Sequence, residues 1–208
     1  MNSQHSLSRR NLIKATILGG IGLGSAASPL SLFAQDTQSQ KRTRGIQGQT
    51  APELQVPYWI DGKGKEQKAF NIAANRGKWV YLKCFQNWCP GCHSIGFPGL
   101  QKLVKAFPNH NQLAIAAIQT TFEGFSSNNQ DALRKNQLRY ELDIPFGHDS
   151  GDSNAPHGDR QRYPNTMVSY RTGGTPWIVV INPQGQVVFN DFHIDTDKFI
   201  QFLSQQFA

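Results

Sequence analysis

An apolar run that leads directly into two closely spaced cysteines limits what this chain can fold into more than any other feature. Residues 78–85 are mostly bulky and apolar, which favours a strand that is buried on both faces. Trp88-Cys89-Pro90-Gly91-Cys92 follows, and a helical stripe then begins that contains Leu100, Leu103, Val104 and Phe107. At such a junction the first thiol lies at a helix N-terminus, where backbone N–H groups and the macrodipole favour a thiolate. The second thiol can close a disulfide, so the sequence predicts a redox dithiol.

The first 34 residues have the pattern of an export signal. A basic segment, Ser8-Arg9-Arg10-Asn11-Leu12-Ile13-Lys14, precedes a weakly apolar stretch rich in glycine and alanine, and no acidic residue occurs before Asp36. The arginine pair resembles the twin-arginine class of signals, which carry folded proteins across the bacterial inner membrane. An uncleaved membrane anchor is the alternative, but glycines and a proline interrupt the roughly 20 apolar residues that a span needs. We expect cleavage near Ala34, or else at Ala27, and a mature form without a membrane span.

The mature protein has only a mild positive charge. Residues 1–34 contain three basic residues and no acidic ones, so their removal lowers the formal net charge from +7 to +4. The remaining lysines and arginines are scattered and form no basic run interleaved with aromatic residues, so we expect no nucleic-acid binding. Residues 35–50 are polar and lack apolar periodicity, which predicts a flexible linker before a single domain over residues 51–208.

Further strand patterns surround the dithiol. Residues 113–118 form a second apolar run, and two β-branched runs around Asn182-Pro183-Gln184-Gly185 predict a hairpin. Upstream of the dithiol, an aromatic strand at residues 58–60 and a returning arm at residues 69–72 enclose a glycine-rich turn. This arrangement predicts an N-terminal β-hairpin beside the main sheet.

The segment between the second strand and the last hairpin has weaker patterns. Residues 128–142 predict a polar helix, and residues 144–146 predict a short strand that proline confines to an edge or ends early. Residues 147–164 have no apolar periodicity and predict an exposed loop, which is long enough to be functional or mobile. Asp195 is expected to cap a terminal helix.

The third cysteine and the histidines offer alternatives to a simple dithiol. Cys84 shares a strand face with Leu82, so we expect a small buried residue, and a resolving or regulatory thiol is the alternative. A structural zinc site normally needs four ligands, but the chain has no second cysteine pair. No recognised ligand spacing relates the available histidines, His93, His148 and His157. We therefore expect no metal and no cofactor, and we place His93 on the surface of the first helical turn.

The order of elements and four short motifs resemble the TlpA-type disulfide reductases, which are exported thioredoxin-like proteins that include cytochrome c maturation proteins. The resemblance covers residues 51–207, and its motifs are Ala51-Pro52-Glu53-Leu54, Trp88-Cys89-Pro90-Gly91-Cys92, Gly174-Thr175-Pro176 and Asn182-Pro183-Gln184-Gly185. It implies an α/β protein with the thioredoxin-like fold. The expected architecture is a central mixed sheet with helices on both faces, an N-terminal β-hairpin and an αβ insert.

The resemblance also implies a role for each residue of the dithiol motif. Cys89, exposed to solvent, would attack a substrate disulfide as the thiolate, and Cys92, less exposed, would resolve the mixed disulfide. Pro90 and Gly91 would help to set the redox poise. Trp88 would shield the dithiol and offer an apolar docking surface.

Three residues distant in sequence complete the implied site. Pro176, in cis, would lie beside Cys89, and the backbone of Thr175 would pair with an extended substrate segment. Glu123 resembles the acidic residue of the family that, when buried, exchanges protons with the second cysteine, and an ordinary loop glutamate is the alternative.

Pro98 departs from the family by one position, so we expect the helix to bend or to restart after Gly96-Phe97.

These features predict a thiol-disulfide oxidoreductase, most simply a reductase, in the periplasm or another extracytoplasmic space. Its substrates would be disulfides of exported proteins, and a membrane-bound electron donor would keep it reduced. A disulfide oxidase or isomerase uses the same parts with another redox poise. Thiol peroxidases of this fold need a threonine three residues before the reactive cysteine, where this chain has Gln86. A metal-binding chaperone module that uses the dithiol and the histidine-containing loop is the remaining alternative.

Overall fold

The computed structural model describes residues 44–208, so the predicted export signal and linker residues 35–43 lie outside the described residues. The strands are β1 (Tyr58–Ile60), β2 (Trp79–Phe85), β3 (Leu113–Thr121), β4 (Phe146–Ser150), β5 (Trp177–Ile181) and β6 (Val187–Asp191). The α-helices are α1 (Phe97–Ala106), α2 (Gln130–Arg139), α3 (Asn165–Tyr170) and α4 (Thr196–Gln206). In this part of the chain no helix is long and apolar enough to span a membrane.

The six strands form one mixed sheet in the order β1-β4-β3-β2-β5-β6. The neighbours β2, β3 and β4 run parallel, whereas β1, β5 and β6 each pair antiparallel with a neighbour. All seven residues of β2 are buried, because strands cover both of its edges and apolar layers cover both faces. The predicted mixed sheet, the αβ insert made of α2 and β4, and the last hairpin are confirmed.

The two faces of the sheet are covered differently. On one face α1, α2 and α4 pack their apolar stripes against the sheet, and the largest contributors are Phe97, Leu100, Leu133, Phe199 and Leu203. On the other face the short helix α3 contributes Tyr170, and irregular backbone supplies most of the remaining cover. Helices therefore lie on both faces, as expected, but the second face has only one short α-helix among the described residues.

Residues 44–50, which the sequence assigns to the linker, lie on the domain. Gly45 N–H donates to the Arg171 carbonyl (2.8 Å), and Val187 N–H donates to the Gln49 carbonyl (2.9 Å). Ile46 is only 5% exposed and joins the core of the second face. The ordered domain therefore begins earlier than residue 51. The sequence did not predict this, because a single apolar residue among polar ones gives no periodic signal.

The N-terminal hairpin differs from the prediction. The turn exists, because the Asp61 carboxylate accepts the N–H groups of Lys63 and Lys65 at 2.9 and 2.8 Å. The returning arm, however, pairs only through an Ile60–Glu66 bridge, and residues 69–72 form no strand. β1 instead extends the sheet as the antiparallel neighbour of β4.

The insert strand lies further along the chain than predicted. β4 begins at Phe146, where residues 144–146 were expected to form the whole strand, and continues through Ser150 into the expected loop. Two of its polar side chains, the partly buried His148 and the buried Asp149, have polar partners. His148 Nδ1 lies 2.7 Å from Gln119 Oε1, and the Asp149 carboxylate accepts the Thr166 N–H at 2.7 Å. Long-range partners therefore make a strand of a segment that looks like a loop.

The helix after the dithiol starts with an irregular turn. Cys92–Gly96 forms a π-helical turn, and the regular helix α1 begins at Phe97 with Pro98 in its first turn. Proline is tolerated there, because the N–H groups of a first turn have no partner within the helix. The backbone stays helical from the π-helical turn into α1, because Gly96 and Phe97 both have right-handed helical dihedral angles, so the helix does not restart after Gly96-Phe97 and the expected irregularity takes the form of the π-helical turn.

Candidate active site

The sheet brings three loops together at one edge. β2 and β3 are parallel, so the dithiol after β2 and Glu123 after β3 follow carboxyl ends that lie side by side. β5 runs antiparallel to β2 and pairs Trp177 with Cys84, so the residues just before Trp177 reach the same edge. A methyl group built on Gly91 would lie 3.3 Å from Pro176 Cδ, which places the two loops in contact. The Thr175–Pro176 peptide bond is cis, as the resemblance implies.

Both thiols of the dithiol are more buried than the sequence suggests. Cys89 is 4% exposed and Cys92 is fully buried, and neither forms a disulfide. The expectation of an exposed Cys89 is therefore wrong, because Cys89 belongs to the main apolar cluster beneath α1. The predicted order of exposure holds, since Cys89 is the more accessible thiol of the pair.

Hydrogen bonds distinguish the two sulfurs. The Cys92 thiol donates to Cys89, and this bond is the main reason why the pKa of Cys89 falls to about 6. The Thr175 hydroxyl and the Cys92 N–H, which lies 3.2 Å from Cys89 Sγ, also donate to this sulfur, while burial opposes ionisation. The same shared hydrogen bond and burial raise the pKa of Cys92. Cys89 is therefore the thiol of this pair that ionises more readily, and Cys92 holds its proton.

Two apolar side chains project beside the buried dithiol. Trp88 is 47% exposed and Ile95, in the π-helical turn, is 59% exposed. The Trp88 indole lies over Gly124, where an added methyl group would come within 2.9 Å of Nε1. Exposed apolar groups around a reactive sulfur form a surface on which a polypeptide can dock.

Amide side chains that the sequence gave no reason to select hold the loop before the dithiol. Asn128 Oδ1 accepts the Asn87 N–H at 2.6 Å, and Asn128 Nδ2 donates to the carbonyls of Glu123 (3.1 Å) and Gly124 (3.0 Å). Asn136, from α2, donates to Asn87 Oδ1 at 2.8 Å. The αβ insert therefore supports the active-site loop directly.

His93 also takes part in this support, although we placed it on the helix surface. Its Nε2 lies 2.5 Å from the Asn87 carbonyl, and its Nδ1 lies 2.7 Å from the Tyr140 hydroxyl. Its ring also packs against the rings of Phe97 and Tyr140. His93 links the dithiol helix to the end of α2.

Of the two alternatives for Glu123, the structure favours a loop glutamate over a buried carboxylate that exchanges protons with Cys92. It is partly exposed and lines a cleft of about 500 Å³ that also includes Tyr163, Gly173 and Gly174. The charged side chain that acts on Cys92 is Lys83 of β2, which is fully buried. Cys84, also on β2, is fully buried, and burial raises its pKa to about 12, which agrees with the core role predicted for it.

The described residues show no metal-ligand cluster. Between residues 44 and 208, no three histidine, cysteine, aspartate or glutamate side chains are grouped closely enough to hold one ion. His148 of the predicted loop points to Gln119 instead, and burial lowers its pKa.

Known proteins are similar to this chain in sequence and in fold. The AhpC/TSA family matches residues 47–190. The structure is similar to a thioredoxin-like superfamily protein, with 27% identity and a TM-score of 0.63 over 76% of this chain and 94% of that one. A thiol-disulfide isomerase from Corynebacterium glutamicum has 27% identity and a TM-score of 0.60, covering 74% and 92%. The thioredoxin domain of a thiol-disulfide oxidoreductase from Bacteroides vulgatus has 19% identity and a TM-score of 0.54, covering 76% and 97%, and supports the fold alone. No curated protein sequence matches the chain.

The match to the family covers more than half of the chain, and the structural relatives extend over nearly their whole length. The predicted thioredoxin-like α/β fold is confirmed by these relatives. Together with a cysteine pair at the carboxyl edge of the sheet, they identify the chain as a member of the AhpC/TSA family and a thiol-disulfide oxidoreductase of the thioredoxin superfamily.

Proposed function

We propose that this protein is a TlpA-type disulfide reductase that uses Cys89 and Cys92 to reduce disulfides of exported proteins. The observation that carries the proposal is the difference between the two thiols. With a pKa of about 6, Cys89 is roughly nine-tenths thiolate at neutral pH, whereas Cys92 stays protonated. Thiol-disulfide exchange needs one ready nucleophile and one thiol held in reserve.

The reaction proceeds in two exchanges. The Cys89 thiolate attacks one sulfur of the substrate disulfide, forms a mixed disulfide and releases the other substrate sulfur as a thiolate. Cys92 then loses its proton and attacks Cys89 Sγ, so that the Cys89–Cys92 bond forms and the second substrate sulfur leaves. The substrate gains two electrons and the dithiol becomes a disulfide. Another thiol donor must return the dithiol to its reduced state.

Substrate binding is proposed at the rim of the dithiol. The backbone beside the cis Pro176 offers hydrogen-bonding groups to an extended segment, as strand addition does in other peptide complexes. Trp88 and Ile95 provide apolar contacts because both are exposed. The cleft between Tyr163 and Gly174 gives room for side chains that flank the disulfide. In this proposal the 147–164 region, where it is not strand, forms a wall of that cleft.

The location and direction of the reaction follow from the sequence features. The twin-arginine-type segment supports export to the periplasm, and the resemblance to TlpA-type proteins supports the reducing direction. A membrane-bound dithiol protein is the proposed electron donor, because an exported compartment lacks the cytosolic thiol pool. An oxidase or isomerase is the competing function, since both would use the same two thiols.

A trapping experiment tests the dithiol and its substrates. A Cys92→Ser variant should accumulate mixed disulfides with exported proteins through Cys89, because the resolving thiol is missing. Cys84→Ser is the matched control, since it removes a buried thiol that takes no part in exchange. The absence of mixed disulfides in Cys92→Ser, or their persistence after Cys89→Ser is added, would refute the assignment.

The direction is tested by equilibrating the purified protein with glutathione. A reductase should have a potential near that of thioredoxin, about −270 mV, whereas a strong oxidant lies near −120 mV. A value close to the oxidant would exclude the proposed reductase but leave the dithiol chemistry in place.

A further inference from the structure

Lys83 is an unusual residue at the centre of this fold. Its side chain is fully buried in the middle of β2, and Nζ has no hydrogen-bond partner among the described residues. Lysine is almost never fully buried without a partner, since an ammonium group loses its hydration there. A buried and unsatisfied ammonium group in the central strand therefore calls for a functional explanation.

The lysine lies directly beneath the dithiol turn. On β2 it lies on the same face as Tyr81 and Phe85, which are two residues before and after it and both belong to the cluster under α1. A methyl group built on Gly96, at the end of the π-helical turn, would lie only 2.6 Å from Lys83 Nζ. The missing side chain at Gly96 therefore provides the space that the amine occupies, four residues beyond Cys92.

The electrostatic partners of Lys83 are mainly sulfur atoms. Cys92 favours its charged form most, followed by Cys84 and Cys89, and no carboxylate of the described residues contributes. His193, from the segment after β6, is a further titratable group nearby, and burial together with Lys83 lowers its pKa while Asp191 raises it. Burial lowers the pKa of Lys83 itself to about 8, so both protonation states are accessible near neutral pH.

We propose that Lys83 is the internal proton acceptor for Cys92 when the mixed disulfide is resolved. This inference rests on the proposed dithiol function. It assigns to a lysine in the central strand the proton exchange that the sequence had suggested for Glu123. The side chain of Glu123 is partly exposed and lines the neighbouring cleft.

The step balances without any further reagent. Neutral Lys83 accepts the thiol proton of Cys92 and becomes an ammonium group, which leaves Cys92 as a thiolate beside a positive charge. Cys92 Sγ attacks Cys89 Sγ, the Cys89–Cys92 bond forms, and the bond between Cys89 and the substrate sulfur breaks. The substrate sulfur leaves with the electron pair and takes a proton from water. Once both cysteines are in a disulfide, no thiolate remains beside the ammonium group, so Lys83 then releases its proton.

Reaction of the reduced protein with Ellman's reagent separates the two exchanges. Attack by Cys89 releases the first thionitrobenzoate, and resolution by Cys92 releases the second, so stopped-flow absorbance follows both. In Lys83→Met we expect the second phase to slow on the order of 100-fold near pH 8, as for other lost acid–base groups. In the wild type the rate of the second phase should rise with pH and level off above the pKa of the Lys83 amine. In Lys83→Met this plateau should be missing. The first phase should change far less.

The control and the opposing outcomes are distinct. Lys105→Met removes an exposed lysine of α1 and should leave both phases unchanged. An unchanged second phase in Lys83→Met would overturn the role of Lys83. If the wild-type protein itself released no second thionitrobenzoate, the proposed dithiol function would fail instead.

A second measurement uses the wild-type protein, so its result does not depend on whether a variant folds. Nitrogen NMR of wild-type Lys83 Nζ should give a titration midpoint near pH 8 in the reduced protein and a lower one in the oxidised protein. The midpoint should fall on oxidation because the neighbouring thiols can then no longer carry charge. A midpoint near the ordinary lysine value in both redox states would refute the proposal.

Discussion

The hydroxyl group of Thr175 offers a direct test of how the site ionises Cys89. This hydroxyl donates to the Cys89 sulfur from the loop that carries the cis proline. Thr175→Val keeps the shape of the side chain and removes only the donor. The hydrogen bond from the Cys92 thiol and the one from its N–H remain, so the variant isolates one contribution.

The expected size of the effect follows from the strength of such a bond. A hydrogen bond to a charged group contributes about 1.5–3 kcal/mol, and one pKa unit corresponds to about 1.4 kcal/mol. The pKa of Cys89 should therefore rise from about 6 to roughly 7–8. At neutral pH the thiolate fraction would fall from about nine-tenths to between about one-half and one-tenth.

Ultraviolet absorbance of the thiolate measures this midpoint in the reduced protein as the pH is raised. Cys84 and Cys92 do not interfere, because burial raises the pKa of Cys84, and the hydrogen bond to Cys89 together with burial raises the pKa of Cys92. The rate of alkylation of Cys89 by iodoacetamide near pH 6 should fall in parallel. Thr172→Val is the matched control, since the Thr172 hydroxyl lies in the same loop without a hydrogen-bond partner among the described residues. A midpoint that stays near 6 in Thr175→Val, or an equal shift in the control, would refute this account of the thiolate.

Three further outcomes are expected. Lys83→Met should be more stable than wild type by about 3 kcal/mol at pH 7, because a pKa of about 8 instead of 10.5 disfavours the buried ammonium group. The difference in the free energy of unfolding should shrink as the pH rises from about 8 to 10.5, because in this range the unfolded chain binds more protons than the folded one. Urea unfolding at several pH values measures it, and a difference that does not change with pH would contradict this account. Asn128→Ala should lose about 2 kcal/mol of stability and slow disulfide exchange, because three loop hydrogen bonds disappear; urea unfolding with unchanged stability would count against it. Hydrogen peroxide should oxidise Cys89 no faster than free cysteine at equal thiolate concentration, because the Gln86 amide donates to the Thr120 carbonyl and no hydroxyl occupies that position; faster consumption in a peroxide assay would indicate a peroxidase.

The parts of the fold that the sequence predicts well are those determined by neighbouring residues. Asp195 caps α4 by accepting the Lys198 N–H at 3.1 Å, and the Pro/Gly turn joins β5 to β6 as expected. The dithiol was identified for the same reason, because its spacing and its place between a strand and a helix are local features. Such signals need no knowledge of the tertiary structure.

The parts that the sequence missed depend on distant partners. Lys83 interrupts an apolar run, and only the packing of α1 over β2 shows that its amine lies beneath the dithiol. Asn128 belongs to a polar segment, and its importance follows from its bond to Asn87, 41 residues away. Asp149 looks like a loop residue until the start of α3 supplies its N–H partners. The partners that surround each of these buried side chains are far from it in the sequence, so a local sequence pattern cannot reveal them.

The path of residues 44–50 has a practical consequence for anyone who attaches this protein to a surface. Arg44 lies against Gly173, next to the cis-proline loop, and the segment then runs away from the dithiol to pair Thr50 with Gln186. The opposite terminus is far from that edge, because Phe207 stacks on His110 just before β3 begins. A tag or support joined to Ala208 should therefore leave the thiols open to large substrates, whereas one joined close to Arg44 would crowd them.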